Sequence, residues 1–88
     1  MGNGMKYIII KGYYCKMPFI FPPAISHDDM YETIKHHGEL LSAGYVDGGI
    51  VDLMGDLSAH GESTSLGVKS KAEDSEIIMR MLGWNSDI

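Results

Sequence analysis

The sequence is short of several things, and each shortage excludes something. It has one cysteine, Cys15, so no internal disulfide can form, which suits a reducing cytoplasm. No apolar run approaches the ~20 residues of a membrane span. The start, MGNGMKYIII, has a single lysine and an apolar run too short for a signal peptide, so no membrane partner is expected. There is no basic run either. Seven Lys and Arg are scattered among twelve Asp and Glu, a formal net charge of −5. A polyanion is repelled by such a chain, so free DNA or RNA is not expected to bind at physiological salt. Lys6, Lys11 and Lys16 come closest to a basic group. They are five residues apart, so along one strand successive members point to opposite faces. No repeat, low-complexity tract, C-x-x-C or H-E-x-x-H pattern is present, and no cofactor is expected.

What is present reads as one small α+β domain. The 88 residues are 44% apolar and 22% charged, ordinary values for a globular chain. Residues 1–4 read as a flexible lead or cloning remnant, with Met5 as good an initiator as Met1, and residues 5–88 as the domain. A chain this size buries only about 60–65% of its unfolded surface, so its core is thin. Seven methionines and 9% aromatic residues are more large apolar side chains than such a core hides. A homodimer is the expected consequence, helped by the edge that a β-rich run such as 6–11 leaves open.

MKYIIIKG (5–12) is an apolar strand whose continuity suggests burial on both faces. PFIFPP (18–23) is a second extended piece, ended by Pro22 and Pro23. SHDDMYETIKHHG (26–38) carries helix signals. Ser26 is the N-cap, Asp28, Asp29 and Glu32 crowd the positive end of the dipole, and Gly38 is placed as a left-handed terminator. Met30 and Ile34 form its inner stripe. Residues 39–63 have β character broken by Asp47-Gly48-Gly49 and Gly55-Asp56. They read as three short strands, about 40–46, 50–54 and 57–62, or as a bulged hairpin. SLGVKS (65–70) is a last strand. In SKAEDSEIIMRMLGW (70–84), Ser70 N-caps a helix and Glu73 closes its capping box. Ile77, Ile78, Met81 and Leu82 make its core stripe, and Trp84 folds back after Gly83. The expected fold is a small antiparallel sheet of four to five short strands with two helices, the C-terminal one packed on one face.

AHGESTSLGVKSKAED (59–74) invites a catalytic reading and does not sustain it. GESTS has Ser65 where a nucleophile elbow needs its second glycine, and the helix begins several residues too late. As a P-loop it has Gly61 and Gly67 six apart, Val68 before Lys69, and Glu62 inside the supposed phosphate cradle. Turn and cap chemistry explains the serines better, with Leu66 and Val68 left to pack against the last helix. Cys15 has no resolving cysteine and no assignable histidine partner. The nearest approach to a metal or acid–base site is His27, His60 and Glu62, and their spacing does not demand one. The exposed-patch candidates are Tyr13 and Tyr14, read together with His27, Asp28 and Asp29 as an aromatic patch with an acidic rim.

FIFPPAISHDDM (19–30), LSAGYV (41–46) and HGESTSLGVKSKAED (60–74) together resemble a group of small uncharacterised proteins of tailed phages and prophages. That group reads roughly F-x-F-P, S-A-G-[FY]-[VL] and G-E-S-x-S-L-[GN]-[IV]-x-S before an acidic helix. The resemblance spans about Phe19 to Leu82. It implies a phage or prophage origin and the cytoplasm of a bacterial host, and supplies no catalytic residue. The expectation is therefore a non-enzymatic accessory protein that binds another protein, such as one of the host. The rivals are a small enzyme at His27, His60 and Glu62, and an acidic DNA mimic that inhibits a DNA-binding protein.

Overall fold

The structure, a computed structural model, describes residues 5–48 and 57–81. Its elements are β1 (Met5–Lys11), β2 (Lys16–Phe21), α1 (His27–Ile34), a 3₁₀ turn (Lys35–His37), β3 (Glu39–Gly48), β4 (Leu57–His60), β5 (Glu62–Ser63), β6 (Val68–Lys69) and α2 (Asp74–Met81). Four strands form an antiparallel sheet in the order β2-β1-β3-β4, and β5 and β6 form a second, two-stranded sheet. The expected α+β class and its antiparallel sheet are what the chain adopts. The expected strand over 50–54, and the helix end at Leu82 and Trp84, lie outside the described residues.

β1 is central because it is apolar on both faces. Tyr7, Ile8, Ile9 and Ile10 are all essentially buried, and successive strand residues feed opposite sides of the sheet. Tyr7 and Ile9 join Val46 and Ile78 on the α2 side. Ile8 and Ile10 join Phe21, Ile34 and Ala43 on the α1 side, with Met30 and Tyr31 packed against them. A bulge shifts the β1–β3 register between Ile9 and Ile10, so that Ile9 faces Ser42 and Ile10 faces Leu40. Ser42 is fully buried and its hydroxyl has no hydrogen-bond partner among the described residues.

Several local expectations are corrected. Leu66 and Val68 pack into the cluster on the α1 side, not against the last helix. The strand expected over 65–70 is mostly a turn, and only Val68–Lys69 pairs, with Glu62–Ser63. Gly67 takes the left-handed conformation that closes this turn (φ 75°), its N–H donating to Ser63 O at 2.9 Å. Gly38 is not a left-handed terminator, since its φ of 167° is extended backbone. Its lack of a side chain serves close approach, because a Cβ there would lie 2.1 Å from the Lys11 carbonyl oxygen. The start of α2 differs by one residue from the expected capping box. The Lys71 N–H donates to Asp74 Oδ2 at 2.9 Å, and Glu73 instead pairs with Lys16.

Candidate functional site

The hairpin between β1 and β2 builds the most exposed aromatic feature among the described residues. Lys11 and Lys16 are directly opposed in the register, and the Gly12 N–H donates to the Cys15 carbonyl at 2.8 Å. That closes a four-residue loop carrying Tyr13, Tyr14 and Cys15 at the end of the sheet. Tyr13 is 88% exposed and Tyr14 91%. Their rings meet edge to face, with centroids 4.8 Å apart, an arrangement favoured by the ring quadrupoles.

Two depressions flank this loop. A small one of about 330 Å³ is lined by Lys11, Gly12, Tyr13, Tyr14, Lys16 and Leu41 among others. A larger one of about 700 Å³ lies between β2 and α2, with Met17, Pro18, Ile77 and Met81 as its apolar part. Lys16 reaches Glu73 across it at 2.7 Å and holds that carboxyl below its ordinary pKa. The hairpin therefore places Lys11 and Lys16 side by side. The expectation that successive lysines face apart holds only within a single strand. The symmetric spacing of KGYYCK about its loop is the signal that could have revealed the pairing.

Asp28 and Asp29, expected beside the tyrosines, stand elsewhere. They are exposed in the first turn of α1, which follows the far end of β2. From Lys16 to Phe21 is five strand steps, about 17 Å, so the two halves of the expected patch occupy opposite ends of the sheet. The rim next to the tyrosines holds Lys11 and the Lys16–Glu73 ion pair.

His27 is buried, at 5% exposure. Its Nε2 lies 2.9 Å from the Gly44 carbonyl oxygen. A carbonyl only accepts, so Nε2 carries the proton. Burial above all pushes the His27 pKa down, Lys6 adds to this, and the bond to Gly44 opposes it. The His27 ring stacks on Tyr45 at 5.4 Å and meets Phe21 edge-on at 5.6 Å. His60 lies edge-on to Tyr45, with centroids 6.4 Å apart, so both imidazoles pack against the one phenol ring. Glu62 is exposed and faces Lys69 in the β5–β6 register. Among the described residues, no three His, Cys, Asp or Glu side chains gather as a metal site.

Ser63 is buried and its Oγ accepts the Leu66 N–H at 3.3 Å, the turn chemistry read from the sequence. Missed by that reading is a buried pair. The Tyr7 hydroxyl donates to Asp74 Oδ2 at 2.5 Å. Burial first, then the hydrogen bond and charge of Asp74, raise the Tyr7 pKa far above its ordinary value, with the Ser70 hydroxyl opposing. This phenol stays protonated and acts as a fixed donor that ties α2 to the sheet. No local pattern links the two residues.

No family model, curated protein or solved structure matches the chain.

Proposed function

We propose that this chain is a non-enzymatic accessory protein of phage or prophage origin, and that the Tyr13–Tyr14 loop is its contact surface for a partner protein. The observation that carries this reading is the exposure of two adjacent tyrosines on a paired hairpin. Tyrosine offers large contact area with few rotatable bonds and is enriched at interfaces. The strands behind it are held from both sides of the core, so the loop is presented on a rigid base and little ordering cost opposes binding.

Two rivals have less support. The Nε2 of His27 is engaged with backbone inside the core, which argues against an acid–base or metal role shared with His60 and Glu62. Asp28, Asp29 and Glu32 lie on α1, while Glu73 and Glu76 belong to the α2 segment across the sheet. Mimicry of a nucleic-acid backbone needs its carboxylates along one stripe.

Capture from a bacterial lysate on immobilised protein tests the proposal. Tyr13→Ala/Tyr14→Ala is expected to lose the proteins that the unmodified chain retains, while Lys69→Ala/Lys71→Ala keeps them. Equal capture by both variants would show that the loop is not the contact surface.

A further inference from the structure

Four large apolar side chains are exposed among the described residues: Tyr13, Tyr14, Ile25 and Met81. Three of them fall at the two ends of the β1–β2 hairpin. At one end Tyr13 and Tyr14 stand beside Lys11 and Lys16. At the other, the turn Pro22-Pro23-Ala24-Ile25 is exposed and runs directly into Asp28 and Asp29, which are exposed too. This turn is ordered by the Ile25 N–H donating to Pro22 O at 3.1 Å and by Lys6 Nζ donating to Ile25 O at 3.0 Å. Lys6 is the cation at this end, and it is engaged with that carbonyl. Lys11, at the tyrosine end, forms no ion pair among the described residues.

The two ends complement each other in kind. Proline-rich segments dock on aromatic side chains because their backbone is already restricted and little entropy is lost. Charges of opposite sign at the rim set orientation and encounter rate. Lys16 is neutralised by Glu73 at the aromatic end, so Lys11 is the cation with which that end matches a proline–isoleucine end with aspartates.

Resting on the reading of the tyrosine loop as a contact surface, we infer that this loop binds a second copy of the chain. Tyr13 and Tyr14 pack on the Pro22–Ile25 turn of the neighbour, with Lys11 facing its Asp28 and Asp29. The two surfaces lie at opposite ends of one molecule, and we place the copies end to end: one uses its loop, the other its turn, and the pair keeps one free end of each kind. Stacked end to end, such an interface continues into a chain or a ring, whereas two copies laid antiparallel along their β2 edges would make both contacts at once and stop at a twofold dimer. The self-association expected from the surplus of large apolar side chains thereby acquires a direction. A contact made by two tyrosines and one turn is small, so the assembly is weak and grows with concentration.

Sedimentation velocity over a concentration series reads it. The mean mass of the unmodified chain is expected to rise continuously past the dimer and to fall back in 1 M salt. Tyr13→Ala/Tyr14→Ala and Asp28→Lys/Asp29→Lys are each expected to stay monomeric alone. Mixed together they should form a 1:1 dimer and stop there, because each retains the end that the other lacks. Ile25→Ser replaces the aspartate variant if circular dichroism shows that variant unfolded, and the same 1:1 result is expected. A monomer mass at every concentration, a mass that stops at the dimer, a dimer that survives the tyrosine substitutions, or a mixture that stays monomeric overturns the inference. If the mass stays monomeric while lysate capture still depends on Tyr13 and Tyr14, the self-contact fails and the binding role of the loop stands. Loss of both removes the two together.

Discussion

Ser26 and Asp74 each accept one backbone amide at the start of a helix, Ser26 from three residues ahead and Asp74 from three residues behind, in opposite surroundings. Ser26 Oγ accepts the Asp29 N–H at 3.0 Å in the open. Asp74 Oδ2 accepts the Lys71 N–H at 2.9 Å while 1% exposed, and takes the Tyr7 hydroxyl as well. At Ser26, water can replace a lost acceptor. At Asp74 it cannot reach, so a lost bond leaves a buried donor unpaired. A side chain bonded to one nearby amide is thus a modest trim on α1 and, where it also holds Tyr7, the anchor of α2. Ile78, buried against Tyr7, Ile9 and Val46, and the Ser75 hydroxyl, 3.0 Å from the Ala59 N–H, depend on α2 being held there.

The contrast breaks most visibly at Asp74. Asp74→Ala removes the acceptor of the Lys71 amide, a hydrogen bond worth about 1 kcal/mol. It also strands a buried phenol hydroxyl, at a cost of about 1–3 kcal/mol. A total near 3 kcal/mol is expected in urea unfolding, and a loss no larger than that of an exposed cap would equate the two helix starts.

Tyr7→Phe isolates the long-range half of the same lock. The helix start keeps its acceptor, and what is lost is one hydrogen bond to an acidic group, about 2 kcal/mol. Thermal unfolding measures it. An unchanged midpoint would mean that Ile78 alone secures α2.

Ser26→Ala should cost about 1 kcal/mol or less, since only an exposed cap is removed. The comparison is sharpened if the double variant Ser26→Ala/Tyr7→Phe shows additive losses, as expected for sites without shared partners. Strong coupling between them would place both in one network.

The smallest effect is expected at Lys16. Its pairing with Glu73 also joins α2 to the sheet, yet both side chains are about half exposed. Such exposed pairs contribute little and are screened by salt. Lys16→Ala should shift the urea midpoint little at low salt and less at 1 M. A loss matching that of Tyr7→Phe would mean that exposed charge holds α2 as firmly as the buried bond.

Much of the local structure was legible because its causes are local. Four consecutive apolar residues, Tyr7 to Ile10, have no polar face to turn to water, so the strand that carries them sits at the centre. Ser26 lies within reach of the amide three residues on, whatever the rest of the chain does. Ser63 likewise serves its own turn, and the spacing of Met30 and Ile34 places both on one helix face.

What could not be read depends on register and on the closing of long loops. Lys11 and Lys16 became neighbours only when β1 and β2 paired, and the same hairpin carried Asp28 and Asp29 away from Tyr13 and Tyr14. Leu66 and Val68 keep the same alternation on either side of the sheet, and only the path of the chain after β4 chose the α1 side. Asp74 and Glu73 are equally able to cap a helix in isolation. The choice fell to Asp74 because, 67 residues from Tyr7 in sequence, it is the one whose carboxyl group meets that phenol inside the core. Propensity and capping act over a few residues and are present in the sequence itself. Pairings across strands and between helix and sheet are set by the packing of the whole chain, and there the tertiary structure decided.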